Sequence, residues 1–372
     1  MYYQDNFSKY FQNEVELHEY LDEVEERSWW KRTSSKNLEV VTVSGNEAKI
    51  SPIEGVETAN LVYDTQKNSQ LVLRAFGESY LLGSTAIPTL QRRARISGHA
   101  LTDLDKATLA YILNECFKVA KGRALVHFFE GKVRAIHSGD PKDYSIIKMD
   151  EVYIAASAYI NTDFKEVAFG GAFTDHRLTS ASWTVKDEKM LSAYRDLLKH
   201  YGREANENLR AEIRITTSDV AASGVNVYYN MKEGDYTIVL GKALRTIHRG
   251  SGGIEDVESN IMRIFEFYKE TMRGISRLFG IHIRYPVNTM ANVMKEVKIK
   301  KKLIAETVEH FKSESGNQPC TAYDVYCGIC QALFFAESDG ADKRSLLDLE
   351  EDISKCASMK WHEHDIPGEV RY

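Results

Sequence analysis

Proline is scarce, with six in 372 residues. Few natural linkers therefore punctuate the chain, and the units it forms are expected to interlock. Cysteine is also scarce and odd in number: Cys116, Cys320, Cys327, Cys330 and Cys356. That count excludes a fully paired disulfide framework. With no hydrophobic leader in "MYYQDNFSKYF", reduced thiols in a cytoplasm are the expectation. No apolar run approaches the roughly 18 residues that span a bilayer, so no membrane role is expected. Positive charge is not in excess either, because 48 Lys and Arg face 54 Asp and Glu for a net charge of -6. Such a balance excludes a protein that coats nucleic acid with its whole surface, but allows a local basic stripe on an acidic body. The P-loop, G-x-S-x-G, H-E-x-x-H and EF-hand patterns are all missing. No catalytic residue and no cofactor is expected, and binding is favoured over catalysis.

What is present is an ordinary globular composition, 43% hydrophobic. "NEVELHEYLDEVEERSWWKR" sets Leu17, Tyr20, Leu21 and Val24 on one helical face, with Trp29 and Trp30 ending the helix. Its other face is acidic and fits either a solvated surface or a mask over a basic groove. From Leu38 to Gly83, short alternating runs such as "LEVVTV", "NLVYD" and "SQLVLRAFG" imply strands. "TDLDKATLAYILNECFKVAKG" implies a helix capped at Thr102 or Asp103, and "RALVHFF" and "KVRAIHS" imply a hairpin turning at Glu130-Gly131. "LRAEIRITTSD" alternates as a half-buried strand. From Ile254 to Phe279, and again from Thr289 to Ser313, the apolar spacing is helical. The expected class is α+β, with mixed and antiparallel strands, interspersed helices and a helical C-terminal part. The expected segments are an acidic helical stretch over 1–37, an α+β core over 38–253 and a helical region over 254–372.

Cys327-Gly-Ile-Cys330 has zinc-knuckle spacing, with Cys320, His310, His362 and His364 within reach in sequence. A structural zinc site normally shows two such pairs in turns. Here the pair falls in a helical stretch and no second C-x-x-C exists, so buried thiols without metal are expected. "RTIHRGSGGIEDVE" resembles a phosphate cradle, but Glu255, Asp256 and Glu258 in the next helical turn would repel a phosphate there. Any anion contact would come from the side chains of Arg245, His248 and Arg249.

Three further basic clusters stand out. One is Arg92, Arg93 and Arg95 in "QRRARISGH", and another is Lys295, Lys298, Lys300, Lys301 and Lys302 in "KEVKIKKK". The third is Lys132, Arg134, His137 and Lys142 in "KVRAIHSGDPKDY", with Tyr144 near enough to stack. Each fits a solvated face or an anion site; single-strand binding wants such cations interleaved with aromatics. Strict alternation sets Lys132, Arg134 and Ile136 on one face of the hairpin and Val133, Ala135 and His137 on the other. Lys132 and Arg134 are then expected to form a phosphate-tracking edge, sharing one basic surface with the Arg92 cluster and helped by the amides of the "SGDPKD" turn.

The order "AIPTLQRRARISG", "LAYILNECF", "RALVHFFEGKVRAIHS…YSII" resembles the phage- and plasmid-like proteins of the family labelled "domain of unknown function 932". "IRITTSDVAASGVNVYY" and "ALRTIHRGSGG" resemble later motifs of that family, so the likeness spans Leu71 to Gly253. Two features depart from it: "SGDPKDY" is longer than the usual spacing, and Asp219 stands where the motif has glutamate. The resemblance implies a mobile-element protein with no established enzymatic activity and no catalytic residue to carry over. Two functions follow as expectations. One is a single-stranded DNA-binding protein of replication or recombination, with a homo-oligomer by analogy to annealing proteins. The alternative is an antagonist that binds a host or phage protein through the acidic N-terminal helix.

Overall fold

The computed structural model describes residues 2–44, 50, 53–98, 100–234, 236–246, 254–369 and 372. Two large sheets, a small two-stranded one pairing His282–Ile283 with Cys320–Thr321, and the helices packed on them make an α+β fold with a helical C-terminal region. The first sheet runs Ser28–Ser34, Arg123–Phe129, Lys132–Ser138, Glu78–Leu82, Leu71–Ala75, Glu39–Thr42. All its pairs are antiparallel except Glu78–Leu82 beside Lys132–Ser138. A parallel pair needs a long crossover. Here it carries helix Ala86–Ala94, which ends in the arginine cluster, and helix Lys106–Val119. These helices bury Leu90, Leu109, Leu113 and Phe117 with Leu73, Leu82, Val126 and Val133 of the sheet. A separate cluster joins Tyr3 and Leu61, from the N-terminal residues and helix Thr58–Lys67, to Val72 and Leu81.

The second sheet is antiparallel throughout: Ser8–Phe11, Val167–Asp175, Thr179–Val185, Leu209–Thr217, Val225–Glu233, Tyr236–Val239. Leu244–Thr246 also pairs with Val225–Glu233. Period-two alternation commits Ala211, Ile213, Ile215, Val225, Val227 and Tyr229 to the largest core. Arg214, Asn226 and Tyr228 consequently lie on the opposite face. That core also takes in Leu17 and Leu21 of the N-terminal helix and Ile275, Met290 and Ile353 from beyond residue 254. The boundaries expected at 37/38 and 253/254 do not separate cores.

Leu17, Tyr20, Leu21 and Val24 are the buried face of helix Glu14–Arg27, and Asn13 caps it by accepting the Glu16 amide at 2.9 Å. Trp29 and Trp30 do not end this helix; they lie in the strand that follows, where aromatic residues fit a pleated surface. "NLVYD" is helical rather than extended, because Leu61 and Thr65, four apart, are buried together in Thr58–Lys67. Asp105, and not Thr102 or Asp103, caps Lys106–Val119 by accepting the Thr108 amide. The run from Ile254 breaks into Ile254–Met262 and Ile264–Phe279. The next breaks into Pro286–Glu296 and Lys301–Ser315, with Lys298 left-handed between them at φ 65.

Candidate functional site

Helix Ala86–Ala94 buries Ala86, Leu90 and Ala94, so its arginines gather on the flank and at the C-terminal end. Cations suit that end of the helix dipole. Arg95 takes the left-handed cap position at φ 59, which turns the chain sharply after the cluster. Facing it across the junction of the two sheets is the loop Ala221–Gly224, which the Ser218 hydroxyl fixes by accepting the amides of Val220 and Ala222 at 3.3 and 3.1 Å. Asn226 and Arg245, register partners on adjacent strands, continue this second wall. Between the walls lies a cavity of about 690 Å³. That volume is within the range of about 300–1,000 Å³ typical of ligand sites.

The cavity is electropositive. Arg92, Arg93, Arg95 and Arg245 line it against two carboxylates, Asp143 and Glu351. Arg93 is only 9% exposed. Its guanidinium donates to the Ser35 hydroxyl and the Lys121 carbonyl, and it has no carboxylate within ion-pair distance among the described residues. Burial, and then repulsion from Arg95, lower its pKa, with Asp143 opposing. Arg92 and Arg95 are exposed and likewise form no ion pair among the described residues. Arg245 pairs with Glu351 at 3.0 Å.

Of the residues expected from sequence, Arg92, Arg93, Arg95, His137, Tyr144 and Arg245 line this one cavity. Lys132 and Arg134 do not, and the basic edge expected on the hairpin is absent. Their side chains are 0% and 2% exposed. Asp5 accepts from Lys132 at 3.1 Å and from Arg134 at 2.8 Å, and Asp64 also pairs with Lys132. The face that both cations share is covered by the N-terminal segment and helix Thr58–Lys67. The strand also carries a β-bulge: His127 opposes Ala135 while Phe128 opposes Val133, so Arg134 is the extra residue. The bulge shifts the alternation, and Val133 and Ile136 both enter the core under the arginine helix. Lys132 and Arg134 instead meet the N-terminal segment and helix Thr58–Lys67, so the shared basic surface fails as well.

Lys142 is exposed but does not line the cavity, and Asp140 accepts its amide at 3.0 Å, so the turn's amides are already engaged. Tyr144 is 7% exposed. Its ring stacks on His137 at 3.8 Å and its hydroxyl donates to the Asp219 carbonyl, which leaves no open face for a base. Phe128 and Phe129 are buried. His248 and Arg249 lie outside the described residues. Asn226 and Glu351, which carry no local motif, reach the cavity only through tertiary packing and were not singled out by the sequence, nor was Ser35, which holds Arg93 beside it.

A second chamber of about 30 Å³ is lined by His127, Arg134, His176 and Asp219. His127 stacks on Trp30 there and its Nε2 stands 3.9 Å from the Asp219 carboxylate. Burial lowers the His127 pKa to about 3, while burial pushes the Asp219 carboxyl up to about 7. Elsewhere, Cys327 and Cys330 lie on helix Ala322–Cys330, and burial raises the Cys327 thiol to about 12. No group of three or more His, Cys, Asp or Glu among the described residues is arranged to hold a metal; this includes Cys320, His310, His362 and His364. No helix among the described residues is long and apolar enough to cross a membrane. No family model, no curated protein and no solved structure matches the chain.

Proposed function

We propose that the cavity at the sheet junction binds the phosphate backbone of single-stranded DNA, and that the chain is a non-enzymatic accessory protein of phage or plasmid replication or recombination. The mobile-element part of this reading rests on the motif resemblance over Leu71 to Gly253. The DNA part rests on one observation above others: Arg93 is buried beside the cavity without a counter-anion, between two exposed arginines that are also unpaired among the described residues. An uncompensated buried charge is costly. A phosphate drawn into the cavity would offset it, and side-chain donors of this kind are what backbone recognition uses. Among the described lining residues Tyr144 is buried and stacked on His137, which favours phosphate tracking over base stacking in the cavity.

The test is titration of labelled single-stranded DNA at several salt concentrations, with the wild type and an Arg92→Ala, Arg95→Ala double variant. Both residues are exposed and form no ion pair among the described residues, so the variant is expected to fold. The expected result is weaker binding to every sequence, with a salt slope flatter by about 0.7 per charge removed. Unchanged affinity and slope overturn the reading.

A further inference from the structure

We infer that Glu351 is a displaceable internal counter-ion: a bound strand crosses the cavity from the arginine helix to Arg245 and takes the place of the Glu351 carboxylate there. This rests on the phosphate-binding reading above and adds the path of the strand and a residue that sets its affinity.

Arg245 belongs to the wall opposite Arg92 and Arg95, and it is the only arginine on that wall among the described lining residues. Its Nη2 donates to Glu351 Oε1 at 3.0 Å. The two side chains are 59% and 38% exposed, so this is a solvent-facing pair. Such pairs are weak, and a multiply charged phosphodiester chain can break one at small cost. A strand already held at the first wall presents its next phosphates at high effective concentration to the second.

Release of Glu351 does not leave it isolated. Lys355 Nζ stands 3.9 Å from the same carboxylate oxygen, while also pairing with Asp352 at 2.6 Å. The adjacent Glu350 is fixed differently. It is 5% exposed and holds Arg214 and Asn230 on the sheet face, and Ile353 and Cys356 anchor the helix that carries both glutamates, Lys343–Cys356, in the core. The helix therefore stays in place, and the exchange at Arg245 is a side-chain swing. Glu351 keeps that wall neutral until a strand arrives.

A double-mutant cycle tests this, using labelled single-stranded DNA at several salt concentrations with wild type, Glu351→Gln, Arg245→Gln and the double variant. Glu351→Gln is expected to tighten binding two- to fivefold, the range set by the strength of an exposed pair. The salt slope should steepen by about 0.7, because one more free cation is available. Both gains should vanish in the Arg245→Gln background. Gains that persist there come from general charge, such as a freed Lys355, and overturn the inference. Unchanged binding by Glu351→Gln, with Arg92 and Arg95 still setting the salt slope, also overturns it while leaving the phosphate reading intact. Absence of salt-dependent binding in every variant, including wild type, overturns both.

Discussion

Asp219 joins the two sheets at a single residue. Its carbonyl accepts from His137 Nε2 at 2.8 Å and from the Tyr144 hydroxyl at 3.3 Å, and these partners lie 82 and 75 positions away. No local pattern encodes that role, and in the sequence Asp219 registers only as a departure from a motif. Its carboxylate and His127 titrate in opposite senses. Asp219 has a raised native pKa, so the stability it contributes is complete below its unfolded value near 3.8 and is lost as pH rises through about 7. His127 has a depressed one, so its contribution is complete above 6.5 and is lost as pH falls through about 3. Asp219→Asn removes only the first effect. Urea unfolding of wild type and variant at pH 5 and pH 8 should therefore show the variant gaining on the wild type at the higher pH. A difference that is the same at both pH values, or larger at pH 5, contradicts the assignment.

At the scale of an element, the central hairpin separates what is legible in sequence from what is not. Glu130-Gly131 was readable as its turn, and both residues have positive φ, 51 and 68, as a tight two-residue connection requires. The strands on either side follow from composition. The bulge at Arg134 was not readable, because nothing in "KVRAIHS" distinguishes a bulged strand from a regular one. A cation bound for an ion network also looks like one bound for solvent. The deciding partner, Asp5, lies 127 and 129 positions from Lys132 and Arg134. Burial alone would raise the Asp5 carboxyl, but Arg134 and Lys132 bring it below the ordinary value. That stability is present above the unfolded carboxylate value and lost as pH falls through the lower native one. Asp5→Ala leaves Arg134 without its carboxylate and Lys132 with Asp64 alone. The expected loss is about 3–5 kcal/mol, read as a shift of the urea midpoint at neutral pH. A loss under about 1 kcal/mol would mean the network behaves as an exposed pair.

At the scale of the whole molecule, the fold class and the arginine cluster were legible because helical and extended periodicities are local. The cavity was not, because it exists only where the two sheets meet. The N-terminal residues tie those sheets together. Asp5 closes the ion network of the first sheet and accepts the Ser84 amide at 2.7 Å. A few residues on, Ser8–Phe11 pairs with Val167–Asp175 of the second sheet, and Phe11 is fully buried in its core. One short stretch thus contributes to both cores. In the intact chain the two sheets are expected to unfold together, with one urea midpoint whether Trp30 in the first sheet or Trp183 in the second is the sole fluorescent reporter. Removing residues 2–11 costs the second sheet an edge strand and about 3–5 kcal/mol for Phe11 alone. It also leaves Lys132 and Arg134 without Asp5, a deficit that falls on the first sheet. With the tie gone, the midpoints reported by Trp30 and Trp183 should separate. A truncated chain whose two reporters still coincide, merely at lower urea, would show that the interface around the cavity couples the sheets without help from the N-terminus.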